Sequence, residues 1–85
     1  MSLPAAARPV SFILTADRAK TMPFYAEVLG LPVIAEEAFG VVFDLGSGAA
    51  LRLTDIKDHA PGPHTVLGWE VPDIRTAMAE LRAKT

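Results

Sequence analysis

The apolar positions of this chain change period along its length, and the changes mark out its elements. Val10 to Ala16 is apolar and β-branched between Pro9 and Asp17, which predicts a buried strand. Alternation puts Val10, Phe12 and Leu14 on one face and Ser11, Ile13 and Thr15 on the other. The period then becomes helical: Met22, Tyr25, Ala26 and Leu29 form one stripe. Asp17 is the expected N-cap, accepting backbone N–H groups of the first turn. Pro23 removes a hydrogen bond inside this helix, so an irregular first turn is expected, with Thr21 as a second cap. Gly30 permits the left-handed close of a helix ending at Leu29, Leu31 folds back on it, and Pro32 prevents continuation.

From there the pattern is strand-like. Pro32 to Ala38 is a short strand and Phe39 to Leu45 a second apolar run. Gly46-Ser47-Gly48 is a turn, and Ala49 to Thr54 returns as a strand. Residues 55–64 form a linker, because Ala60-Pro61-Gly62-Pro63 does not belong inside a sheet. Thr65 to Val71 predicts another strand. Asp73 then caps a helix over Ile74 to Lys84, with Ile74, Ala77, Met78 and Leu81 as its apolar stripe. Shifting the chain by 56 positions sets Asp73 on Asp17, Val66 on Val10, Val71 on Thr15 and Met78 on Met22. Strand, Asp and amphipathic helix recur in register, which implies two copies of one supersecondary unit. The expected fold class is α+β. A leader over 1–9 precedes a βαβββ module over 10–54, a linker over 55–64, and the βα start of a second, incomplete module over 65–85.

Composition narrows the partners. A chain of 85 residues holds one small domain with a thin stability margin. An apolar fraction of 51% with mean hydropathy +0.30 is high for that length and points to surface covered by a second copy or a further segment. Net charge −2 gives no electrostatic case for nucleic acid or an anionic membrane. The absence of cysteine excludes disulfides, a thiol nucleophile and thiolate metal sites, and fits a cytoplasmic protein. The first nine residues lack the charge and apolar run of a signal peptide, and no stretch approaches membrane-spanning length. Gly46-Ser47-Gly48 precedes a strand rather than a helix, so it is no phosphate loop, and no serine nucleophile elbow occurs.

Asp17, Phe24-Tyr25 and Val28-Leu29-Gly30-Leu31 together resemble the first helix of the vicinal oxygen chelate superfamily, which includes glyoxalase I, bleomycin-resistance proteins and extradiol dioxygenases. The resemblance implies two βαβββ modules whose sheets curl around one pocket. It covers nearly the whole chain but only part of the family domain, since three strands of the second module are missing. The sequence therefore reads as truncated, with open sheet edges that a homodimer would close by shared edges or exchanged modules.

The resemblance also locates a metal site. Metal-dependent members bring one His from the first strand, seven residues before the helix-capping Asp, a second from the matching point of the second module, and a carboxylate from the last strand of each module. Those positions here are Val10, Val66 and Arg52, with the fourth in the missing segment. Two valines and an arginine supply no donor to a divalent ion, so no family metal, no cofactor and no catalytic residue is assigned. The expected function is small-molecule binding, in the manner of the bleomycin-resistance branch, of a partly apolar ligand in a concave sheet pocket. The alternative is a metal-dependent lyase (lactoylglutathione lyase-like) or dioxygenase with a shifted metal site.

The pocket residues follow from alternation. Phe12 and Leu14, Val42 and Asp44, Arg52, and Val66 and Glu70 share the ligand-binding face. Arg52 can receive a carboxylate or phosphate, and Asp44 and Glu70 can hold a cation or act as a base. The competing reading pairs these three charges with one another or with water. His59 and His64 read as solvated loop residues. Trp69, with Leu67 and Val71, reads as core beneath the second helix, and Phe24 and Tyr25 as core of the first module.

Overall fold

In the computed structural model residues 3–85 are described; the first two positions of the expected leader lie outside them. Four strands form one mixed sheet: β1 (Val10–Thr15), β2 (Val33–Glu37), β3 (Gly40–Gly46) and β4 (Ala49–Asp55). Their order is β1-β4-β3-β2. β1 runs parallel to β4, while β4–β3 and β3–β2 are antiparallel hairpins. Ser47 and Gly48, both at left-handed φ, close the β3–β4 turn. β1 and β4 are joined in parallel through the intervening helix and hairpins, so the expected α+β βαβββ module is present.

The helix between β1 and β2 has two parts. α1 spans Arg18–Pro23 and is capped by Asp17, whose carboxylate accepts from the Lys20 N–H. Pro23 brings no N–H, and the chain widens into a π-helical segment, Phe24–Val28, closed by the Leu29 N–H on the Phe24 carbonyl at 2.9 Å. The irregularity thus falls after the proline rather than in the first turn. Thr21 is no second cap: it sits inside α1 with its hydroxyl on the Asp17 carbonyl and on Thr15. Gly30 takes φ +72, and the Leu31 N–H returns to the Tyr25 carbonyl at 3.0 Å, which ends the segment as the sequence predicts.

One face of the sheet holds the core. Ile13, Val41, Phe43, Leu51 and Leu53 are buried there, under Met22, Tyr25, Ala26, Leu31, Leu45 and Leu67. Each fully buried side chain of this size contributes about 1.5–3 kcal/mol. Tyr25 packs its ring 5.9 Å from that of Phe43, and burial pushes its phenol pKa up, so it stays protonated at neutral pH. Phe24 meets Tyr25 edge-on but remains half-exposed, at the margin of the core rather than in it. Arg18 ties the layers together. Its guanidinium donates to the carbonyls of Glu37 and Gly40 and pairs with Asp55 at 3.3 Å.

The second unit is formed only in part. α2 (Ile74–Ala83) is capped by Asp73 as expected, yet none of its residues is buried. Thr65 to Val71 joins no ladder, which corrects the expected fifth strand. A β-branched apolar run specifies a pleated, half-buried surface; a strand also needs a neighbour to pair with. Without that ladder, only Leu67 of the trio reaches the core, and Trp69 is 48% exposed instead of buried beneath α2. The radius of gyration, 14.3 Å, exceeds the roughly 12 Å of a compact domain of this length, as a loosely appended second unit requires.

Candidate functional site

The sheet face opposite the core is open. Register places Phe12, Arg52 and Val42 in one row across β1, β4 and β3, and Val10, Ala50 and Asp44 in the next. Leu14 and Thr54 continue the face toward the end of β1. No helix covers these residues: Phe12 is 62% and Leu14 42% exposed. Phe12 and Leu14 thus present neighbouring apolar side chains to solvent on this face.

A cleft of about 620 Å³ lies along the outer edge of this face. Phe12 and Leu14 form one wall, and the 59–64 segment folds back to supply the other, with Val66 beside it. Three of the seven expected binding residues, Phe12, Leu14 and Val66, therefore converge. Val42 and Arg52 share the face but do not line the cleft. Glu70, in the unpaired segment, is exposed and lies outside it.

The three expected charges do not pair with one another. Arg52 forms an ion pair with Glu37 on β2. Its guanidinium lies over Gly40, where a β-carbon would come within 3.2 Å of it. Asp44 accepts from the Gly46 N–H at 2.8 Å and so holds the β3–β4 turn. Glu37 was visible in the sequence only as the solvated end of a strand; its pairing spans a third strand and has no local signature. His59 and His64 both line the cleft; His64 is exposed, as expected, and His59 is half-buried. The Pro-Gly-Pro sequence that marks a loop carries no sign of which way the loop folds.

The fold has counterparts among solved structures. The oxidase ChaP-H2 matches with TM-score 0.65 and 18% identity over 94% of this chain and 63% of its own. A glyoxalase/bleomycin resistance protein from Streptomyces sp. CB03234 matches with TM-score 0.65 and 22% identity over 91% of this chain and 73% of its own. An integron cassette protein from the mobile metagenome of V. cholerae gives TM-score 0.64 and 18% identity over 98% and 70%. The chain has the vicinal oxygen chelate fold. It spans less than two-thirds of the length of the oxidase. No protein-family model and no curated protein matches the sequence.

The metal of the vicinal oxygen chelate fold finds no fit in the residues present. The first-strand position is Val10, paired across the sheet with Ala50, and the fourth-strand position is Arg52, engaged with Glu37. The third position that falls within this chain, Val66, is an exposed aliphatic side chain. Among the described residues, no three His, Asp or Glu side chains gather in a way that could hold an ion.

A second hollow, about 250 Å³, lies between the end of the π-helical segment and α2, with Leu29, Trp69 and Leu81 among its walls. The Lys84 ammonium closes one side on the Val28 carbonyl at 3.3 Å. It lies on the helix side of the molecule, away from the open face. No described helix is long and apolar enough to cross a membrane.

Proposed function

We propose that the chain binds a small, partly apolar molecule on the open sheet face, with the cleft beside Phe12 and Leu14 as its seat. The observation that carries this is the uncovered apolar row itself. Phe12 and Leu14 stand exposed side by side along a cleft of ligand size, and a concave apolar lining is where small molecules bind. Binding alone, of the sequestering kind, needs no catalytic residue. The name of the glyoxalase/bleomycin resistance neighbour is consistent with it.

The test is a thermal-shift screen of small acids, thiols and antibiotics, followed by amide chemical-shift mapping of any hit. Shifts clustered on β1 and the 59–66 segment support the reading. A screen without hits, or hits mapping to the α2 hollow, would sink it.

The rival reading is an enzyme, a lyase or dioxygenase using a metal. The oxidase among the similar structures speaks for it, and the donor set speaks against it. Stoichiometric Ni, Zn, Mn or Fe in protein purified without chelator would reverse that balance.

We also place the protein in the cytoplasm as a homodimer. The cysteine-free composition supports the first, and the two open edges of the sheet, β1 and β2, support the second. Light scattering tests the dimer, and a monomeric mass would remove it.

A further inference from the structure

Of the three charges expected to select the ligand, two are engaged elsewhere and the third lies away from the cleft. Arg52 pairs with Glu37, Asp44 holds the β3–β4 turn, and Glu70 lies outside the cleft. The polar side chains that remain in the cleft wall are His59 and His64. No carboxylate, ammonium or guanidinium lines it among the described residues. Lys57 and Asp58, the nearest charges along the chain, are exposed.

Both imidazoles are placed by backbone features. His59 is half-buried, and its N–H closes a turn on the Ile56 carbonyl at 3.1 Å. The His64 ring lies back over Gly62, where a β-carbon would stand 2.7 Å from its Nδ1. The ring can occupy that place only because residue 62 has no side chain.

An imidazole donates at least one N–H. Two such donors beside Phe12, Leu14 and Val66 make a site with an apolar body and one end that donates hydrogen bonds. We infer that the ligand is a small amphiphile with an aromatic or branched apolar body and a single anionic group, received by the N–H donors of His59 and His64. This rests on the reading that the open face binds small molecules.

Two fluorescent probes separate the inference from the reading beneath it. 1-Anilinonaphthalene-8-sulfonate is anionic, and N-phenyl-1-naphthylamine has the same body without the charge. Each is titrated into the full chain at one pH and one ionic strength. Phe12→Ala weakens both probes, which fixes their location. The double variant His59→Ala/His64→Ala weakens the sulfonate and leaves the neutral probe unchanged; partly exposed polar contacts suggest about threefold per imidazole, so roughly tenfold in all. Gly62→Ala, which displaces the His64 ring without deleting it, weakens the sulfonate by less. If the double variant leaves the sulfonate unchanged, or weakens both probes equally, the histidine inference is overturned while the site reading stands. If neither probe binds, or Phe12→Ala leaves both unchanged, the site reading itself fails and takes the inference with it.

Discussion

Arg52 on β4 reaches over Gly40 of β3 to pair with Glu37 on the edge strand β2. The one guanidinium on the open face is thereby tied across three strands instead of pointing to a ligand. Both side chains are partly exposed, so the pair itself is worth no more than about 1 kcal/mol. Glu37→Gln is expected to lower stability within that range. It would leave the Arg52 charge free to attract anions to the face.

Gly40 carries more of the consequence. A β-carbon there would sit 2.9 Å from the Leu53 carbonyl oxygen as well as 3.2 Å from the Arg52 guanidinium. The side chain can swing away; the strand carbonyl cannot without breaking the ladder. Gly40→Ala should cost about 1–3 kcal/mol, as overpacking does in a packed interior. Urea denaturation checks it, and an unchanged midpoint would show that the two strands can part at no cost.

Two threonines should respond in opposite directions to the same replacement. Thr15, buried at the end of β1, shares a 2.7 Å hydrogen bond with the Thr21 hydroxyl and accepts from the Asp17 N–H at 3.1 Å. Thr15→Val leaves the Asp17 N–H without its partner and should cost about 1–2 kcal/mol. The Thr54 hydroxyl is buried with no hydrogen-bond partner among the described residues. Thr54→Val keeps the shape and removes an unpaired polar atom, so stability should hold or rise by about 1 kcal/mol. Thermal unfolding of the two variants side by side reads the sign directly.

Asp73 makes the second unit sensitive to acid. Its side-chain hydrogen bond from Thr76, followed by the backbone N–H groups of Arg75 and Thr76, holds its pKa below the ordinary 3.8. A carboxylate lowered on folding contributes stability that is fully present above its unfolded pKa and is lost as pH falls through the lower folded value. Helix α2 should therefore keep its cap at neutral pH and fray only below about pH 4. Far-UV circular dichroism against pH, with Asp73→Asn as a cap that does not titrate, checks this. An acid transition of equal size in the Asn variant would assign it to another group.

The module over 10–54 was legible because each signal in it is local. Asp17 caps, Gly30 closes, and two-residue alternation on β1, β3 and β4 sorts core from open face without error. What was not legible is what depends on a partner distant in sequence. Thr65–Val71 has the composition of a strand, and composition says nothing about the neighbour it lacks. Trp69 followed that segment out of the core. Glu37 and Arg52 find each other across an intervening strand, and His59 and His64 reach the cleft through a loop path that no periodicity encodes. Three of the expected binding residues line the cleft; Arg52 and Asp44 hold structural contacts instead, and Glu70 lies exposed outside it.

The last expectation separates folding from binding on the two faces of the same sheet. Phe43 is fully buried on the core face, against Tyr25. Phe43→Ala should cost about 3–5 kcal/mol and threatens a domain this small with unfolding. Phe12, two strands away on the open face, loses little contact on truncation, so Phe12→Ala should shift stability by no more than about 0.5 kcal/mol. Its ring is nonetheless the largest apolar group of the cleft wall, and its loss should weaken a bound ligand roughly tenfold. Measuring stability and probe affinity on the same Phe12→Ala preparation is decisive. Unchanged stability with weakened binding supports an open face kept for a ligand. A loss of stability comparable to that of Phe43→Ala would mean that Phe12 is covered in solution, with the dimer interface as the first candidate to cover it.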